Sequence, residues 1–239
     1  MDSLIQFKNI SFEYPEKTFG LHEISFEILA GKKYAICGKN GAGKTTLLRL
    51  LMGLETMQQG SIIVENIEMT RNTIRNIRQK IGFVFQNPDS QVFSANVSED
   101  VAFGPRNMGL SEEEVNLRVK NALESVDLVE YTDRSPYQMS YGQKKRVAIA
   151  GILAMDPSII VLDEPFSNLD YPSRTSLRKL LEKEVINKGK TIIFASHSRR
   201  LIHEWADYAL FLDGGRLLYS GETKGLVDLP QAEIYLGPI

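Results

Sequence analysis

At 239 residues, with 43% hydrophobic and 24% charged side chains, the chain has the balance of an ordinary globular protein, which excludes a disordered or collagen-like polymer. A net charge of -2 gives no overall basic field for nucleic acid, so a nucleic-acid partner is not expected. Nowhere do about eighteen apolar residues run together, so no bilayer-spanning helix is expected and any membrane role is peripheral. The single cysteine, Cys37, permits no intrachain disulfide and fits a reducing compartment. At the end of the apolar run 34–36 it reads as a small buried hydrophobe rather than a reactive thiol. The opening Met1-Asp2-Ser3 has neither the basic stretch nor the apolar core of a signal peptide.

Residues 4–12 alternate roughly as a strand, and 24–28 do so more cleanly. Residues 34–37 read as a short buried strand running into a glycine-rich turn, after which 44–52 carries helix formers with leucines at 47, 48, 50 and 51. Short strands are expected at 61–64 and 81–85. Between about 87 and 140 strand signals are scarce, and Pro, Gly and Asn punctuate the segments. Within that stretch Ser111 followed by Glu114 is a capping box, and Val115, Val119, Ala122, Leu123 and Val126 form one helical face. The stretch therefore reads as a helical insertion. The basic cluster Lys144-Lys145-Arg146 reads as a solvated helix face. Strand patterning returns at 159–162 and 191–195, separated by an amphipathic helix with Leu177, Leu180, Leu181 and Val185 on one side. Residues 209–212 and 216–219, joined through Gly214-Gly215, predict a closing hairpin. Buried strands alternating with helices imply a mostly parallel sheet covered on both faces.

Two motifs carry chemistry. Gly38-Lys39-Asn40-Gly41-Ala42-Gly43-Lys44-Thr45 matches G-x-x-x-x-G-K-[ST] in full, with an apolar strand before it and a helix after it. Its glycines let backbone N–H groups turn inward around phosphate oxygens, and the helix points its positive end at the same place. Lys44 can reach the β- and γ-phosphates, and the Thr45 hydroxyl can ligate Mg²⁺. The second motif is the apolar run 159–162 ending in Asp163-Glu164. Asp163 can hold the shell of the magnesium through water, and Glu164, one residue on, can accept a proton from an attacking water. Together the pair describes a nucleoside triphosphatase with its own general base.

Residues 139–143, Met139-Ser140-Tyr141-Gly142-Gln143, resemble the signature of the ABC ATPases, usually written L-S-G-G-Q, with Met for the leucine and Tyr for the first glycine. Ser140 and Gln143 also fit a helix capping box, which is compatible. The resemblance implies an α/β fold: a P-loop ABC ATPase domain with a mostly parallel core sheet, an antiparallel β subdomain and a helical signature-bearing subdomain. It would be a single domain over residues 1–239 with residues 87–140 inserted in the α/β core. It further implies ATP and Mg²⁺ as cofactors. The nucleotide would be held by Tyr14, Gly38, Asn40, Gly41, Ala42, Gly43, Lys44, Thr45 and Thr46 of one subunit and by Ser140, Gly142 and Gln143 of another. Tyr14 matches the aromatic that stacks on adenine, although a tyrosine after a strand also serves as core or surface filler. Thr45, Gln86 and Asp163 would be the metal ligands, and Glu164, His197, Lys44 and Gln86 the catalytic set. Asn168 stands where Ala or Gly is common in the interface loop 167–170, and Ser198 stands where Asp usually follows the histidine.

The variant signature with Tyr141 resembles that of the cobalt- and nickel-type importer ATPases, and the segment from Gln86 to Gly104 is similar to that of the energy-coupling-factor group of ABC importers. This implies a second ATPase subunit (homodimer or close paralogue), an integral membrane scaffold protein and a substrate-binding membrane protein, met at the cytoplasmic face of the membrane. The same segment also reads as a capping loop with Phe93 and Phe103 packed inside. Length tilts the expectation toward metal import rather than vitamin import. An ATPase of another ABC transport system, or a soluble ABC ATPase outside transport, stays open.

Overall fold

The structure, a computed structural model, describes residues 3–16, 19–227 and 229–236; the expectation on Met1 and Asp2 lies outside them. Strand β1 (Ser3–Glu13) pairs antiparallel with β2 (Gly20–Leu29), and the partners Phe7 and Phe26 stack with ring centroids 4.3 Å apart. Strand β3 (Lys33–Cys37) is buried from Tyr34 onward and delivers the chain to the glycine-rich loop and helix α1 (Lys44–Leu51). Then come β4 (Gln59–Val64), β5 (Ile67–Glu68), α2 (Ile74–Lys80) and β6 (Ile81–Val84). Helices α3 (Val97–Asn107), α4 (Glu112–Ser125) and α5 (Tyr141–Met155) follow, with short 3₁₀ turns between β6 and α5. The chain continues through β7 (Ile159–Asp163), α6 (Tyr171–Glu184), β8 (Thr191–Ser196), α7 (Arg199–Trp205), β9 (Tyr208–Asp213) and β10 (Arg216–Glu222). It closes with α8 (Thr223–Val227) and α9 (Pro230–Leu236).

Two compact units result: residues up to 78 with those from 191 onward, and residues 79–190. In the first, an antiparallel sheet runs in the order β2-β1-β4-β5. Separately, β3 pairs in parallel with both β8 and β9, and β10 closes antiparallel on β9. All six residues of β8 are buried, as strands covered on both faces must be. The β9–β10 turn has φ of 51° at Gly214 and 75° at Gly215, the primed geometry that matches strand twist. The His22 amide donates to the Gly215 carbonyl at 2.9 Å and ties this turn to β2.

In the second unit β6 and β7 form a parallel pair, and every residue of both is buried. Helix α4 buries Val115, Val119, Ala122 and Leu123, the face its periodicity predicts. Its cap is only half of the expected box. Ser111 Oγ accepts from the Glu114 amide at 3.3 Å, but the Glu114 carboxylate accepts from Arg118 at 2.8 Å. The fold is thus mixed α/β, with an antiparallel sheet, predominantly parallel buried strands and a helical segment carrying residues 140–155.

The basic cluster departs from expectation. Lys145 is 1% exposed. Lys144 pairs with Asp89 at 2.7 Å, and Arg146 donates to the Val126 carbonyl and to Ser176 Oγ, both at 2.9 Å. Sequence charge alone suggested a wet face; tertiary packing on α5 buries Lys145 and gives the half-buried Lys144 and Arg146 named acceptors.

Candidate active site

The first unit carries the glycine-rich loop. Gly38, with φ of 145°, leaves β3 against β9: a Cβ there would lie 2.2 Å from the Leu212 carbonyl oxygen. Gly41, with φ of 78°, has nothing within 4 Å of its Cβ position, so the crest of the loop is open. Lys44 is buried and folds back across the loop, its ammonium donating to the carbonyls of Gly38 at 2.8 Å and Lys39 at 3.1 Å. Helix α1 has Gly43 as N-cap with no side-chain cap and no acidic residue in its first turn. Its positive end therefore faces the loop without a capping side chain from the N-cap position. Thr45 and Asn40 are exposed, while Ala42 and Thr46 are buried. Tyr14 packs edge-on against Phe12 and brings its hydroxyl to 3.3 Å from Thr46 Oγ1, beside the loop.

Two flanking details fix the loop. Lys39 pairs with Asp213 at 2.8 Å and lies 4.8 Å from the Tyr235 ring centroid; the Asp213 contact raises its pKa. Cys37, wholly buried behind the loop, is pushed up to about 12 by that burial, which makes it an inert packing group. His197 follows β8 and is exposed. Ser198, where the ABC pattern has Asp, caps α7 by accepting from the Leu201 amide at 3.4 Å.

The second unit carries the other expected residues. Asp163 ends β7 and is 6% exposed. Glu164 turns out of the strand with φ of 46°, the left-handed region that costs a non-glycine residue ~1–2 kcal/mol. Its carbonyl accepts from the Ser167 amide at 3.2 Å, Ser167 Oγ at 2.8 Å and Lys145 Nζ at 3.4 Å, contacts that hold the strained backbone. Lys145 also donates to the Pro165 carbonyl at 2.9 Å. Gln86 is exposed, and Gln91 braces the chain before it, accepting from the Phe85 amide and donating to the Phe83 carbonyl, both at 3.0 Å. The Tyr141 hydroxyl donates to the Gln86 carbonyl at 2.8 Å.

Ser140 and Gln143 form a full capping box on α5, with bonds of 3.3 and 3.0 Å. A Cβ at Gly142 would meet only Leu169, at 3.8 Å, so the helix start stays open. It opens on a hollow of about 290 Å³ lined by Ser140, Gly142, Gln143, Tyr131, Arg146 and Ser173. Asn168, with φ of 59°, and Asp170, which caps α6 at 2.9 Å from the Ser173 amide, shape the loop beside it.

The residues suit the expected ligands. An open loop crest, an uncapped helix start and a buried ammonium together form an anion cradle. Thr45, Gln86 and Asp163 offer only oxygen or amide donors, and among the described residues no cluster of three or more His, Cys, Asp or Glu could cage a metal alone. That donor set fits a cation that keeps water and phosphate oxygens, as Mg²⁺ does.

Sequence reasoning missed Lys145, the Tyr141 hydroxyl and Gln91. The available signal was the i, i+4 spacing of Tyr141 and Lys145.

Burial lowers the Lys145 pKa from 10.5 to about 8, against the opposing pull of Glu164 and Asp163. The folded chain then loses this proton first as pH rises, so between about pH 8 and 10.5 the unfolded state binds more protons and stability rises. The cost of burying the charge is complete below pH 8 and relieved across that window, on the order of 3 kcal/mol in full. Urea midpoints at pH 7.5 and 10 should show this relative gain in the wild type and lose it in Lys145→Met.

The family model "ABC transporter" matches residues 21–167. The chain is 46% identical over 226 residues to "Energy-coupling factor transporter ATP-binding protein EcfA2" of Methanospirillum hungatei, covering 94% of this chain but 56% of that protein. It thus spans little more than half of that relative. It is 42% identical to the EcfA protein of Carboxydothermus hydrogenoformans, covering 95% of this chain and 84% of the relative. Among solved structures it is similar to cbiO1 of Clostridium perfringens, described as part of the ABC transporter complex cbiONQ. That match has a TM-score of 0.86 and 36% identity, over 97% of this chain and 93% of the other. The cassette MJ0796, solved as a dimer in a post-hydrolysis state with ADP and Pi, matches with a TM-score of 0.81 and 27% identity, over 92% and 98%. The fold and the cradle are those of an ABC-type ATP-binding domain. The chain belongs to the ABC transporter family. Among the described residues no helix is long and apolar enough to cross a membrane.

Proposed function

We propose that the chain is the ATP-hydrolysing subunit of an ABC importer of the energy-coupling-factor type, seated on the cytoplasmic face of the membrane and driving uptake of a transition-metal ion or vitamin. The observation that carries the proposal is an open phosphate cradle at residues 38–45 in a chain 46% and 42% identical, over 94% and 95% of its length, to energy-coupling factor ATP-binding proteins.

In this reading the loop amides from Gly38 to Thr46 and the Lys44 ammonium hold the phosphates, and Tyr14 stacks on the adenine. Thr45, Gln86 and Asp163 would hold Mg²⁺, which when bound supplies positive charge against the β- and γ-phosphate oxygens. Glu164 takes a proton from water as the water oxygen bonds to the γ-phosphorus. The bond from that phosphorus to the bridging oxygen breaks, leaving ADP and phosphate. Lys44 and His197 donate to the transferring phosphoryl group, where charge develops. Ser140, Gly142 and Gln143 serve the nucleotide of a second subunit, a copy or close paralogue. ATP favours the closed pair because it adds contacts present only there. Hydrolysis removes those contacts, and reopening moves the membrane scaffold and substrate-binding proteins.

Affinity capture of the tagged chain from detergent-solubilised membranes of its own cells tests the importer. Integral membrane proteins and a second ATPase subunit are expected in the eluate. Recovery wholly in the soluble fraction, with ribosomes and without membrane proteins, overturns it.

A further inference from the structure

Tyr141 and Lys145 stand four residues apart on α5 and so share one helix face. The Tyr141 hydroxyl donates to the Gln86 carbonyl at 2.8 Å. The Lys145 ammonium lies 5.3 Å from the centroid of the Tyr141 ring, within cation–π range. It also donates to the carbonyls of Pro165 at 2.9 Å and Glu164 at 3.4 Å. Two side chains thus form an unbroken run of contacts from the backbone of Gln86 to that of Glu164.

Both ends are held under constraint. The Gln86 end is braced from before by Gln91 and from beyond by the Lys144–Asp89 pair, which fastens the same turn of α5. The Glu164 end keeps its left-handed φ of 46° under the donors converging on its carbonyl. A glycine at 141, as the ABC signature usually has, could make neither the hydroxyl bond nor the ring contact. The link therefore depends on the tyrosine that replaces the first glycine of the L-S-G-G-Q pattern.

We propose that Tyr141 and Lys145 are positioning residues that tie the Gln86 segment to the Glu164–Pro165 segment inside one subunit, so that displacing either shifts the other. Its functional meaning rests on the roles given above to Gln86 and Glu164; the mechanical link itself needs no nucleotide. A chain of contacts alone does not prove coupling, so the decisive quantity is reciprocity.

Hydrogen exchange on the full chain without nucleotide measures it, comparing wild type, Tyr141→Phe and Lys145→Met. Tyr141→Phe removes one oxygen and keeps the ring. It is expected to speed exchange about threefold to tenfold at residues 86–91, the scale of one lost hydrogen bond. It should also speed exchange at 164–168, to which the lost hydroxyl bond does not run. Lys145→Met should do the converse. Exchange confined in each variant to the segment its own side chain touches overturns the proposal, and Tyr141→Phe decides it alone if Lys145→Met does not fold. In hydrolysis assays Tyr141→Phe is expected to lower kcat several-fold at unchanged KM for ATP, with the thermal midpoint lower by only about 2–4 °C. A wild type without ATPase activity would sink the functional reading above while leaving the exchange result to stand or fall by itself.

Discussion

Replacing Glu164 with glutamine is expected to lower steady-state ATP hydrolysis by about 10²–10⁴-fold, the range removed with a general base, while ATP still binds. Glutamine has the shape of glutamate and no special liking for a left-handed backbone, so the φ of 46° costs both alike. The bonds that hold this backbone run to the residue 164 carbonyl from Ser167 and Lys145, and a side-chain amide leaves them in place. What disappears is the carboxylate to which the proposed mechanism gives the proton. The cradle of residues 38–45 sits in the other compact unit and keeps its lysine and its open crest. Phosphate release and equilibrium binding of a fluorescent ATP analogue, measured on the same preparation, separate the two effects. Turnover within a few-fold of wild type would take the base role from Glu164. If ATP also closes a pair of subunits, the variant with ATP should elute as a dimer and the variant with ADP as a monomer.

The parts of the molecule legible in the sequence are those whose chemistry is written in neighbouring residues. The loop from Gly38 to Thr45 needs glycine where φ is positive, and a strand and helix on its flanks, and all three signals lie within one short window. The buried faces of α4 and α6 follow from spacing alone. Contacts between segments distant in the chain were not legible. Three adjacent basic residues look solvated until α5 is packed; then Lys145 faces carbonyls some twenty positions away and Arg146 reaches both the end of α4 and α6. Glu114 shows the same limit on a smaller scale, since the box pattern was present but Arg118 one turn on competes for the carboxylate. Tyr141 read as a departure from a motif, and only its 2.8 Å bond to Gln86 gives it a job.

Gly38→Ala is expected to cost several kcal/mol of folding stability, far more than Gly41→Ala, although both glycines belong to one motif. At Gly38 two penalties combine. A φ of 145° is essentially glycine's own and costs another residue ~1–3 kcal/mol. The new methyl would also stand 2.2 Å from the Leu212 carbonyl oxygen and 3.2 Å from its carbon, and that backbone belongs to β9, which is paired to β3 from Tyr208 to Phe211 and to β10 at Leu212. Neither strand can retreat without breaking its ladder, so overpacking adds ~1–3 kcal/mol. Against a typical total of about 5–15 kcal/mol this is a large share. Gly41 has φ of 78° and empty space at its Cβ position, so alanine there pays only the left-handed backbone, ~1–2 kcal/mol. Urea midpoints of the two variants check the order, and equal midpoints would mean that the β3–β9 contact is looser than its geometry implies. The comparison also separates folding from binding within the loop. Gly41→Ala retains a folded chain with its crest altered, so a loss of ATP binding in that variant reports on the cradle itself, whereas the same loss in Gly38→Ala follows from the strand beneath it.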